Sequence, residues 1–203
     1  MPPRDTVTRP LLLIAGLFAI AANLRAPITG VAPLLDTLQA VLGLSPAQAG
    51  LLTTLPLLAF GIVSPLAATL ARRVGLEGAL SGALLLITAG LLTRIAGPVA
   101  GVYAGTLLIG AGIAVGNVLL PSLVKRSFPS RVPTLTGLCA LSMGIAAALL
   151  SASAVPLGTA FGWQAALGLP LVLSLGALGL WQQAPRPAAG APSGTPAAGP
   201  DAR

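Results

Sequence analysis

Six stretches without a single acidic residue, each about as long as a bilayer is thick, decide what this chain can fold into. They run Leu11–Leu35, Ala49–Leu70, Ala79–Ile95, Gly101–Pro121, Leu135–Leu157 and Ala165–Trp181. A helix rises about 1.5 Å per residue, so roughly 20 residues cross the hydrocarbon core. Inside lipid every backbone N–H and C=O must be satisfied within the protein. Only helices and closed barrels do that, and barrel strands would be shorter and alternate in polarity. These runs do not alternate. They predict an all-α membrane protein of six transmembrane helices.

Composition agrees: 55% of residues are hydrophobic and only 7% charged, against about 25% charged in a soluble domain. The 25 glycines in apolar helices predict close backbone approaches. A net charge of +7 suggests nucleic acid, but the basic residues form short clusters between spans and no basic face, so no nucleic-acid partner is expected. Cys139 is the only cysteine and histidine is absent, so no disulfide, metal or cofactor site is expected. The four acids, Asp5, Asp36, Glu77 and Asp201, all lie outside the spans. A membrane enzyme would need a Ser–His pair, a carboxylate dyad or a metal cluster, so no enzyme is expected.

Basic residues sort by side. Arg4, Arg9, Arg72, Arg73, Lys125, Arg126, Arg131, Arg186 and Arg203 fall on one side and only Arg94 on the other. That bias predicts both termini in the cytoplasm. Ten Arg against one Lys suggests a GC-rich bacterial genome and hence the inner (plasma) membrane. Arg4 and Arg9 before Leu11–Ala22 imitate a signal peptide, but the run continues to Leu35 and five more follow, so it is taken as a membrane helix. Trp163 and Trp181 are expected at opposite membrane interfaces. The chain thus divides into a cytoplasmic N-terminal segment (1–10), a six-helix bundle (11–183) and a disordered Pro/Ala/Gly-rich cytoplasmic tail (184–203). The loop Asp36–Gln48 is expected to hold a short interfacial helix, with Ser45 as an N-cap before Pro46.

Arg25 is the anomaly. It lies about 21 Å along the first span from its cytoplasmic end at about 1.5 Å per residue. A charge there costs about 2.5–3.5 kcal/mol on insertion scales. Asp36 is about 16 Å further along a straight helix, out of reach. Two readings stand: a water-filled cavity where Arg25 meets an anionic or strongly dipolar solute, or a side chain that snorkels to the outer interface. Asn23 and Asn117, the only asparagines, each precede a proline by four residues, Pro27 and Pro121. Proline leaves the carbonyl four residues back without its donor, so each pair predicts a kink with free polar groups. First and fourth spans would then be equivalent members of a 3+3 inverted repeat. Coincidence, or asparagines bonding neighbouring helices, explains the pairs equally well. Gly101, Gly105, Gly112 and Gly116 read as close packing. Thr53, Thr54 and Ser142 can bond their own helices, and Pro56 and Pro65 are expected to bend the second span.

The second loop, Gly61-Ile-Val-Ser-Pro65-Leu-Ala-Ala-Thr-Leu-Ala-Arg72-Arg73-Val-Gly75, resembles the loop signature of the major facilitator superfamily in its glycines and basic pair, but lacks its acid. Asn23-Leu-Arg25-Ala-Pro27-Ile-Thr-Gly-Val-Ala-Pro33 and Gly110-Ala-Gly112-Ile-Ala-Val-Gly116-Asn117-Val-Leu-Leu-Pro121-Ser-Leu-Val-Lys125 resemble the first and fourth helices of the cyanate and 2-nitroimidazole transporter family. The resemblance covers about residues 8–183 and implies half of a major facilitator fold, its N-terminal six helices. It implies alternating access by two rocking halves, with Arg25, Asn23 and Asn117 as substrate ligands and Pro27 and Pro121 as kinks lining the pathway. The implied partners are the lipid bilayer, a small anionic or polar solute and a second six-helix half, as a homodimer or a separate chain. The alternative is a truncated or decayed membrane subunit that does not transport.

Overall fold

A computed structural model describes the backbone of residues 5–184 and the side chains of 11–184. Among the described residues it is entirely helical, and six segments are long and apolar enough to cross a membrane. The helices are α1 (Asp5–Asn23), α2 (Ala26–Thr29), α3 (Leu35–Leu42), α4 (Pro46–Val74), α5 (Leu76–Ala96), α6 (Val99–Ser127), α7 (Val132–Phe161) and α8 (Trp163–Gln183). The first membrane segment, Leu11–Leu42, is assembled from α1, α2, a 3-10 turn at Ala32–Leu34 and α3. α1 begins at Asp5, within the segment taken from the sequence as preceding the bundle. The tail expected at 184–203 lies, past Ala184, outside the described residues.

Ser45 is an N-cap as expected, and the helix it caps is α4 itself. Gln48 N–H donates to Ser45 Oγ at 3.2 Å, and Ser45 N–H donates back to Gln48 Oε1 at 2.8 Å. This reciprocal pair satisfies two donors that a helix start leaves orphaned.

Two junctions carry the repeat. α4 turns into α5 on Gly75 (φ 81°, ψ 159°), and α7 turns into α8 on Gly162 (φ 85°, ψ 161°). A side chain is excluded from this backbone region almost completely. The same one-residue hinge thus joins the second and third helices of each three-helix unit, at opposite ends of the bundle, as a 3+3 inverted repeat requires.

α6 and α5 form the centre. Gly105 lies against Gly90 and Arg94, Gly112 against Ala83 and Ile87, Gly110 against Pro56 of α4 and Gly116 against Leu24. Lipid supplies no hydrophobic force between helices, so close van der Waals contact is what holds such seams. Thr88 and Ser174, both buried, share a 2.7 Å hydrogen bond between α5 and α8. Trp163 and Trp181 mark the two ends of α8, and both are buried against the bundle. Trp181 Nε1 donates to Ser81 Oγ at 3.1 Å. α4 and α7 remain the least covered helices.

Candidate functional site

The site begins where the first membrane segment breaks. Pro27 has no N–H to offer the Asn23 carbonyl, and here α1 ends at Asn23. Leu24 N–H bonds the Ile20 and Ala21 carbonyls, and the ladder restarts when Ile28 N–H bonds Arg25 O at 3.2 Å. Arg25 occupies the corner between α1 and α2 with its side chain exposed. Together with half-buried Asn117 of α6 it walls a cavity of about 390 Å³. Thr29 of α2 and Thr53, Pro56 and Phe60 of α4 are also in its wall. Two of the three polar residues singled out on the first and fourth spans, Arg25 and Asn117, therefore line one cavity.

Asn23 does not join them. It is fully buried, and its Nδ2 donates to Ala19 O at 2.8 Å and Leu173 O of α8 at 3.3 Å, leaving Oδ1 without a partner. It fastens the end of α1 to α8 and offers no ligand to the Arg25 cavity in this conformation. The two prolines also diverge: the chain breaks before Pro27, whereas α6 continues unbroken through Pro121 to Ser127. Pro121 lines, with Asn117, a separate space of about 120 Å³ against α7. In the loop signature, Gly75 supplies the hinge, Arg72 Nη2 donates to Thr69 Oγ1 at 2.9 Å, and Arg73 is exposed. A Cβ added at Gly61 would meet no atom of another element within 4 Å.

Arg94, counted from the sequence as an outer-loop residue, is 1% exposed inside the bundle. Its Nη1 donates to Pro27 O at 2.9 Å and its Nη2 to Leu167 O at 3.0 Å. The ordinary helical donor to Pro27 O would be Val31 N–H, which bonds Ile28 O instead. Arg94 takes its place and holds the broken helix to α5 and α8. A signal existed: the third apolar run, ending at Ile95, already contained Arg94.

Among the described residues the one ion pair joins Arg126 Nη2 to Glu77 Oε1 at 3.1 Å, tying the end of α6 to the start of α5. Asp36, the other described acid, is exposed on α3. Neither Arg25 nor Arg94 thus has a carboxylate within 4 Å among these residues. No group of three His, Cys, Asp or Glu side chains there could hold a metal.

Six membrane helices in two inverted units, around a cation-walled cavity at a broken first helix, define a multi-pass membrane protein of transporter architecture. The chain belongs to the Major Facilitator Superfamily, whose family model matches residues 11–202. It is 55% identical over 172 residues to the 2-nitroimidazole transporter of Escherichia coli (strain K12), covering 84% of this chain and 44% of that protein. It is 44% identical over 181 residues to the uncharacterized transporter YycB of Bacillus subtilis (strain 168), covering 88% of this chain and 45% of that one. To the cyanate transport protein CynX of Escherichia coli (strain K12) it is 34% identical over 123 residues, 60% of this chain and 32% of the relative. The chain spans less than half the length of each of these relatives.

Proposed function

We propose that this chain is one half of a secondary transporter that moves a small anionic or polar solute across the bacterial inner membrane by alternating access. Arg25 carries the proposal. Its guanidinium is exposed at the wall of the cavity beside Asn117, with no carboxylate within 4 Å among the described residues. Its planar fork of donors suits both a cyanate-like anion and the oxygens of a nitro group, the chemistries that the names of two relatives carry. Asn117 adds an amide that can donate or accept.

A second six-helix half supplies what the arrangement lacks. Arg25 facing acyl chains would cost about 2.5–3.5 kcal/mol or more, whereas a covering half would enclose it with water and solute. The apolar faces of α4 (Leu57, Ile62, Leu66) and α7 (Leu141, Ile145, Leu149) stand exposed for such contact. With Arg94 buried, the basic loop residues among those described, Arg72, Arg73, Lys125, Arg126 and Arg131, fall on one side, in keeping with cytoplasmic termini.

The test is uptake into vesicles bearing this chain with a matching second half, using labelled cyanate and 2-nitroimidazole. Arg25→Ala and Arg25→Lys should each abolish uptake while leaving insertion intact. Unchanged uptake in both variants would remove Arg25 from the site. A chain that associates with a second half yet supports no uptake of any solute would instead be a non-transporting subunit.

A further inference from the structure

We propose that Arg94 and the cavity beside it form a second anion site, separate from Arg25, that holds one small, weakly hydrated monovalent anion. Arginine carries five N–H donors and keeps its charge at any physiological pH. Two of Arg94's donors reach carbonyls, Pro27 O and Leu167 O, and its buried Nε–H has no acceptor. Carbonyl dipoles orient the guanidinium without neutralising it, and among the described residues the single ion pair lies elsewhere, at Arg126 and Glu77. A desolvated charge with an unused donor calls for a counter-ion.

Space for that ion is present. Arg94 lines a cavity of about 340 Å³ with Thr53, Thr106, Ile109, Ala147 and Ser151. Thr29, Thr53, Ile28 and Pro56 are shared with the Arg25 cavity, so the two spaces adjoin. The threonine protons are already committed: Thr29 Oγ1 donates to Ala26 O at 3.2 Å, Thr53 Oγ1 to Gly50 O at 2.7 Å and Thr106 Oγ1 to Val102 O at 2.7 Å. That leaves the Arg94 guanidinium as the cationic donor, with the Ser151 hydroxyl beside it, in otherwise largely apolar walls. Such a site favours thiocyanate, cyanate or nitrate, which lose water readily, over fluoride or sulfate, which do not. The site goes beyond the transport proposal, because anion binding at Arg94 is measurable whether or not the chain moves a solute.

The experiment is thermal unfolding of the full purified chain in mild detergent, titrated with sodium thiocyanate against sodium gluconate at constant ionic strength. Thiocyanate generally destabilises proteins, whereas a ligand that binds only the native state raises its stability in a saturable way. The expected result is a saturable rise in Tm with thiocyanate and none with gluconate. Arg94→Gln should weaken the response at least tenfold. Since that variant loses native hydrogen bonds and can fail to fold, Ala147→Leu provides the second arm: it adds bulk to the cavity wall while keeping Arg94 and should also remove the response. Arg25→Gln should keep it. A wild-type protein showing only a monotonic fall in Tm would overturn the proposal. So would a response that survives Ala147→Leu and disappears in Arg25→Gln, because the anion would then sit at Arg25.

Discussion

Replacing Gly105 by alanine would place a Cβ 2.6 Å from the backbone nitrogen of Arg94 and 2.8 Å from its Cβ, with the Gly90 carbonyl also in the way. Carbon atoms pack best at about 3.5–4.0 Å, so α5 and α6 would have to part by roughly 1 Å there. Two of the obstructing atoms belong to backbone, and no rotamer change relieves them. A gap of 0.5–1 Å forfeits about a quarter to a half of each dispersion contact along the seam, and overpacking of this kind costs about 1–3 kcal/mol. Alanine returns up to about 1 kcal/mol through its better helix propensity. From the upper end of the overpacking range, the net expectation is a loss of about 2 kcal/mol. For a chain of this length that is a Tm lower by about 4–8 °C. Gly137→Ala and Gly144→Ala on α7 are the controls: nothing lies within 4 Å of either position, so only the propensity gain of up to about 1 kcal/mol acts. Trp163 and Trp181 are both buried, so tryptophan fluorescence during heating in detergent reads all three variants. A Gly105→Ala protein as stable as Gly144→Ala would refute the claim that close approach of α5 and α6 holds the centre of the bundle.

Gly75→Ala and Gly162→Ala should each lower stability by about 1–3 kcal/mol, because both glycines occupy a backbone region closed to side chains. Similar Tm losses for the two would support equivalent hinges, and a large loss for one alone would separate them. Ser45→Ala removes half of the capping box and should cost about 1 kcal/mol; calorimetry showing no change would mean that water replaces the cap. Thr88→Val leaves the Ser174 hydroxyl without its partner, so Thr88→Val and Ser174→Ala should be non-additive by about 0.6 kcal/mol, the typical coupling inside membranes. A strictly additive pair would show that their 2.7 Å contact contributes nothing.

Much of the fold was legible because it is written locally. Span number and rough bounds follow from hydropathy, since lipid demands about 20 apolar residues per helix wherever they pack. Ser45 before Pro46 and Gln48 is a local signal too, and the capping box formed there. Arg25 and Asn117 stood out from sequence because polar groups in hydrocarbon are rare, and they share one cavity. What remained hidden depends on which face of a helix meets which neighbour. Arg94 sits close to a span end, where an arginine can as easily reach water. Only the Pro27 and Leu167 carbonyls, 67 and 73 residues away in the chain, make burial tolerable. Asn23 and Asn117 carry the same Asn-to-Pro spacing, yet one is fastened to α8 and the other walls the cavity. Proline removes the same hydrogen bond in both places, but only packing decides whether the helix breaks, as at Leu24–Arg25, or runs on, as α6 does through Pro121. Composition and spacing determined that this chain crosses a membrane six times with polar groups inside; the tertiary structure alone decided which of those groups face a cavity and which hold the helices together.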